Sequence, residues 1–168
     1  MKSLMRDIRG WAIIVGVVFY GVAAWAQIPD AAAPVRRLYA TYGTGAATTA
    51  SGFRDQDAAN LFSRSLLALY RRAAKAGLDY DFFVQGQDFN LAKPLDVTRV
   101  DSNRDRATVS ATLTQTDVDS QGKQKARIDR FEFAVIKEAG AWRIDDATHS
   151  GSTFRRELQD IVKSGGMR

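Results

Sequence analysis

The sequence predicts an α+β domain in which two or three N-terminal helices pack on a curved antiparallel sheet of three to five strands, followed by a short C-terminal helix. Three observations carry that expectation. Apolar side chains recur at helical spacing from Val35 to Ala74, alternate with a period of two from about Val97 to Asp146, and return to helical spacing after Ser152. Helical and strand patterns are therefore segregated along the chain.

The first helix is read from Val35, Leu38, Tyr39 and Tyr42, an i, i+3, i+4, i+7 stripe with Pro34 at its favoured first position and Gly43 as its stop. The small, polar run between Gly43 and Gly52 reads as a loop. A second helix is expected from about Asp57, with Leu61, Phe62, Leu66, Leu67, Tyr70 and Ala74 on one side, Arg64, Arg71, Arg72 and Lys75 mostly on the other, and Gly77 closing it. Residues 78–83 mix aromatics with carboxylates and suit neither a long helix nor a clean strand, so they read as an irregular, partly buried connection. Val97 and Val100 begin the sheet. Between Ala107 and Thr116, Val109, Ala111 and Leu113 alternate with Thr108, Ser110, Thr112 and Thr114, as a half-buried antiparallel strand requires. After a loop over residues 117–124, with Gly122 expected at positive φ, the return strand places Phe131, Phe133 and Val135 on one face. Ala139, Gly140 and Ala141 turn into a further strand through Trp142 and Ile144. Ser152 or Thr153 then caps a last helix whose stripe is Phe154, Leu158, Ile161 and Val162, ending at Gly165 and Gly166.

The start of the chain reads as an address. Lys2, Arg6 and Arg9 precede an uncharged run from Gly10 to Pro29 that ends in Ala24, Trp25 and Ala26, the pattern of a secretory signal peptide cleaved after Ala26. The competing reading is an uncleaved inner-membrane anchor over residues 10–29, a stretch that just reaches the span of a bilayer. Either way the body, residues 27–168, is expected as one domain outside the cytoplasm, periplasmic or secreted.

Composition excludes several kinds of chemistry. With 168 residues and 45% apolar content, the chain suits one ordinary core. The absence of cysteine removes disulfides, a cysteine nucleophile, thiolate zinc and iron–sulfur clusters, and a single histidine, His149, removes a multi-histidine metal centre. Two stretches resembling calcium loops fail in detail. Asp101, Asn103 and Asp105 are followed by Arg106 where glycine is required, and Asp117, Asp119 and Gly122 end on Ile128. No metal or cofactor is expected. The formal charge of +5 falls to +3 (21 basic against 18 acidic residues) once residues 1–26 are removed, and what remains is dispersed, so no nucleic-acid partner is expected.

Four segments, Pro34 to Tyr42, Leu61 to Ser63, Leu78 to Phe83 with Gln87 and Asp88, and Trp142 to Asp146, resemble an uncharacterised family of bacterial exported proteins, domain-of-unknown-function family 3828. The resemblance implies a cone similar to nuclear transport factor two, in which a curved sheet wraps around helices and leaves a pocket at its open end. It implies no activity.

The densest polar–aromatic stretch supplies the candidate ligand-binding residues Asp79, Tyr80, Asp81, Gln87 and Asp88. Carboxylates among aromatics are either desolvated acids and bases or caps that satisfy backbone amides at a turn. Trp142 either anchors the core beside Ile144 or offers a ligand platform. Asp145 and Asp146 adjoin in a strand, so their side chains should point to opposite faces, one toward the interior or an arginine and the other to solvent. His149 is expected at the surface. The functional expectation is a non-enzymatic exported domain binding a small molecule or an envelope protein, with a homodimer as a further option and contact with the membrane only through an uncleaved leader. The alternatives are a hydrolase or isomerase pairing Asp79, Asp81 or Asp88 with Tyr39 or Tyr80, and a protein-interaction or toxin-neutralising module.

Overall fold

The computed structural model describes residues 30–43, 55–86, 90–118 and 121–165. The leader, the glycine- and threonine-rich loop, Gln87, Asp88 and Asp119 lie outside these residues. The fold is α+β, as expected. Helix α1 (Ala33–Ala40) has Pro34 in its first turn and buries Val35, Leu38 and Tyr39, with Tyr42 buried just beyond it. Asp30 precedes it, accepting from Ala32 N at 2.9 Å and pairing with Arg36.

The expected second helix is two helices, α2 (Asp55–Leu61) and α3 (Arg64–Lys75). The break falls at Phe62 and Ser63 because their backbone is taken by the sheet. Phe62 bridges Ile144, and Ser63 N donates to the Ile144 carbonyl at 2.8 Å. Ser63, in extended conformation, then starts α3 afresh by accepting from Leu66 N at 3.1 Å. The restart resets the helical phase, so Leu66 and Ala73 are buried while Ala74 is exposed.

Five strands form one antiparallel sheet in sequence order: β1 (Asp96–Asn103), β2 (Arg106–Val118), β3 (Gln124–Glu138), β4 (Ala141–His149) and the two-residue β5 (Ser152–Thr153). Val109 lies opposite Phe133 and Ala111 opposite Phe131, so the predicted inward faces of β2 and β3 coincide and are buried. Gly122 has positive φ, as expected. Two-residue turns, Ala139–Gly140 and Ser150–Gly151, join β3 to β4 and β4 to β5 with positive φ at both positions, the geometry that matches strand twist.

One irregularity matters for the site. Val135 pairs with Ile144 and Ala134 with Asp146, which leaves Asp145 as an extra residue, a β-bulge. An extra residue reverses the alternation, so Ile144 faces inward before it and Ala147 after it. Helix α4 (Phe154–Gly165) follows, with Thr153 Oγ1 accepting from Arg156 N at 3.2 Å as its cap and Phe154 and Leu158 buried. It packs against α3 so closely at its end that a Cβ on Gly165 would lie 2.6 Å from Ala76 Cβ.

The core is aromatic where helices, sheet and residues 78–86 meet. The Phe83 ring lies 4.8 Å from Phe154 and 6.2 Å from Phe133, and Phe82 lies 5.2 Å from Phe154. Burying each such ring contributes about 1.5–3 kcal/mol. Among the described residues, no helix is long and apolar enough to cross a membrane.

Candidate ligand-binding site

Residues 78–86 form a tight reversal stapled by paired backbone bonds between Asp81 and Gly86, both 3.3 Å, with Gln85 at φ +55°. Phe82, Phe83 and Val84 sink into the core, and this drags Asp81 below the surface with them. Its Oδ1 accepts from Phe83 N at 2.9 Å, the capping role that turn carboxylates commonly play. Its Oδ2 accepts from the Tyr42 hydroxyl at 2.7 Å. Burial raises the Asp81 carboxyl above its ordinary value, against the opposing pull of hydrogen bonds from Tyr42 and from the Phe83 and Val84 amides. Burial, reinforced by the Asp81 charge, pushes the Tyr42 hydroxyl well up, so Tyr42 remains a donor.

Above this pair lies an open depression of about 320 Å³. Tyr70, Tyr80 and Phe154 form its aromatic walls with Leu78, Phe82 and Phe83, while Asp79 and Asp81 supply the charge. Three sequence-predicted residues, Asp79, Tyr80 and Asp81, are thus brought together. Tyr80 is 38% exposed and donates to Gln85 Oε1 at 2.9 Å. Trp142 is elsewhere. It is half-buried against the core, with Lys137 Nζ 6.0 Å from its ring centroid, and borders a separate depression with Pro34 and Arg37. Of the tyrosines expected to partner a carboxylate, Tyr39 donates instead to the Phe83 carbonyl at 3.0 Å. The carboxylate's partner is instead Tyr42, whose place in the apolar stripe of the first helix gives no sign of that role.

The bulge alters two further expectations. Asp145 and Asp146 do not divide between an arginine and solvent. Asp145 Oδ1 accepts from Arg155 Nη2 at 2.5 Å, and Asp146 Oδ1 accepts from Arg155 N at 3.0 Å, so both hold the start of α4. His149 follows the reversed phase inward. Its side chain is only 14% exposed, its ring stacks 4.7 Å from Phe131, and its Nε2 lies 3.4 Å from Asp129 Oδ1.

Asp129 belongs to a partly buried polar cluster with Gln115, Arg127 and His149. Gln115 Nε2 donates to Asp129 Oδ2 at 3.0 Å and to the Val84 carbonyl at 2.9 Å, and Arg127 donates to the same two acceptors, each at 2.9 Å. The cluster clamps the far side of the 78–86 reversal to β2 and β3. A signal for it existed: Gln115 continues the inward phase of Leu113, and Asp129 precedes that of Phe131, so each is a polar residue at a core position.

Fold and site together define an α+β domain with an open depression lined by aromatic residues and edged by carboxylates. No family model matches the chain, and no curated protein does either. Among solved structures, the chain is similar to the intermembrane space region of chloroplast protein ARC6, at 20% identity and a TM-score of 0.45, over 73% of this chain and 95% of that one. A likeness of that size carries no inference about role.

Proposed function

We propose that the chain is an exported domain that binds a small ligand in the depression framed by residues 78–83. The observation that carries this reading is a partly desolvated carboxylate, Asp81, set at the edge of an aromatic-walled hollow of about 320 Å³. Holding a carboxyl group out of water costs stability, and such costs concentrate at functional sites. The exported character rests on the leader pattern, with cleavage after Ala26 and release into the periplasm. The resemblance of four sequence segments to family 3828, with the open-ended cone that this resemblance implies, is in keeping with the same view.

Native mass spectrometry of the protein recovered from the periplasm tests both parts. Mature material beginning at Gln27 and carrying a retained small molecule is expected. Material beginning at Met1 sinks the cleavage, and a retained protein in place of a small molecule turns the reading toward an envelope interaction module.

A second reading, a hydrolase or isomerase using Asp81 as base, draws on the Tyr42 hydroxyl 2.7 Å away. Against it, Tyr42 is fully buried, so its hydroxyl supports the carboxylate from beneath instead of facing a substrate. Turnover lost on Asp81→Asn while ligand binding is kept would favour the enzyme.

A further inference from the structure

Three carboxylates drawn wholly or partly out of water, Asp81, Asp129 and Asp145, differ in the groups that face them. Asp129 has Arg127 at 2.9 Å, and Asp145 has Arg155 at 2.5 Å. Asp81 is bonded by neutral donors, the Tyr42 hydroxyl and backbone amides. Neutral dipoles solvate a carboxylate without cancelling its charge, so Asp81 retains an unneutralised negative charge beside the depression.

The surroundings deepen that charge. The chain is net positive, and four other surface depressions each include at least one arginine: Arg106, Arg130, Arg36, and Arg37 with Arg143. Among the described residues, the depression at Asp81 is lined by five aromatic residues, two carboxylates and one leucine, with no basic side chain. The two tyrosine hydroxyls report the same field. After burial itself, Asp55, Asp81 and Asp57 push the Tyr70 hydroxyl up, and Glu157, Asp81 and Asp129 outnumber the opposing Arg127 at Tyr80.

Resting on the binding reading above, we propose that the depression takes an organic cation, an alkylated ammonium group whose charge meets Asp81 and Asp79 while its methyl or methylene groups lie against Tyr80 and Tyr70. Such a group sheds its hydration more easily than a primary ammonium or a metal ion. It is also attracted by aromatic quadrupoles that repel an anion. A neutral ligand of the same shape would leave the Asp81 charge unneutralised.

Three probes of one shape and different charge test this: choline, 3,3-dimethylbutan-1-ol and 3,3-dimethylbutanoate, titrated into the isotope-labelled protein while the backbone amides of residues 81–86 are followed by NMR. Choline is expected to bind at least tenfold more tightly than the alcohol, with the acid weakest. Asp81→Asn keeps one acceptor oxygen, for Phe83 N, and turns its amide NH2 toward the Tyr42 hydroxyl, which can accept from it; the variant should bring choline down to the level of the alcohol while leaving the alcohol unchanged. Asp79→Asn, on the exposed rim, should weaken choline severalfold and serves as the readout if the Asp81 variant does not fold. If the alcohol or the acid binds as tightly as choline, the cation proposal falls and the ligand-binding reading stands. If none of the three moves these amides, both fall.

Discussion

The Ser63 hydroxyl donates to Asp145 Oδ1 at 2.5 Å across 82 residues of sequence while accepting from Leu66 N at 3.1 Å. One side chain therefore begins α3 and fastens it to the β-bulge of β4. Arg155 completes the joint, with Nε on the Asp145 carbonyl at 2.6 Å and Nη2 on Ser65 Oγ at 2.7 Å. Helix α3, the bulge and the start of α4 thus share one polar junction, and this junction sets the position of Phe154 in the wall of the depression.

Replacing Ser63 by alanine removes a helix cap and leaves Asp145 with fewer donors. Loss of the cap alone costs about 1–2 kcal/mol. Urea unfolding should show at least that loss, and a double-mutant cycle of Ser63→Ala with Asp145→Ala should give a coupling above about 0.5 kcal/mol. Additive effects would mean that the cap and the bulge act separately.

Asp81→Asn should change how stability depends on pH. Burial raises the carboxyl in the folded protein above its ordinary value of 3.8, so between 3.8 and the raised value the folded chain binds more protons than the unfolded chain. The contribution of Asp81 is then fully present below 3.8 and is lost as pH rises through the raised value. Denaturation midpoints measured from pH 3.5 to 7 should therefore show the native protein losing stability relative to the asparagine variant as pH increases. A flat or rising difference would contradict the desolvation of Asp81.

In the Asp129 cluster, the order of two variants is diagnostic. Gln115→Leu removes a buried donor and should cost about 1–3 kcal/mol. Gln115→Glu sets a second carboxylate beside Asp129 and should cost more, because two buried like charges cannot both stay ionised without penalty. Chemical denaturation at neutral pH gives the ranking, and equal losses would show that Asp129 is better screened than its surroundings imply.

Gly165→Ala tests the close approach of α3 and α4. The new Cβ would meet Ala76 Cβ at 2.6 Å and the Ala76 carbonyl oxygen at 2.9 Å, so backbone must move, at a cost of about 1–3 kcal/mol. Thermal unfolding of Gly165→Ala combined with Ala76→Gly should recover part of that loss. No recovery would place the strain elsewhere.

Much of the fold was legible because it follows from local periodicity. Val109, Ala111 and Leu113 on β2, and Phe131, Phe133 and Val135 on β3, alternate without interruption, and the paired strands bury them as that alternation requires. The misreadings come where a distant partner overrides the local pattern. The helix break at Ser63 depends on the Ile144 carbonyl, and the inward turn of His149 depends on one extra residue at Asp145. Of the site, the cluster of Asp79, Tyr80 and Asp81 was visible as composition. Tyr42 was not, because a tyrosine in a helical stripe looks the same whether its hydroxyl meets water or a carboxylate.

The amino-acid sequence by itself determined the class of the fold, the order of its elements, the inward faces of β2 and β3, and the chemistry that the absence of cysteine excludes. Each of these depends on a residue and its near neighbours along the chain. Tertiary structure alone decided which carboxylate has an arginine and which does not. Asp81, Asp129 and Asp145 are the same residue type, yet Arg127 reaches one, Arg155 another, and only Tyr42 and backbone amides reach the third. Charge compensation depends on distances of a few ångströms between residues far apart in sequence, and those distances exist only once the chain has folded.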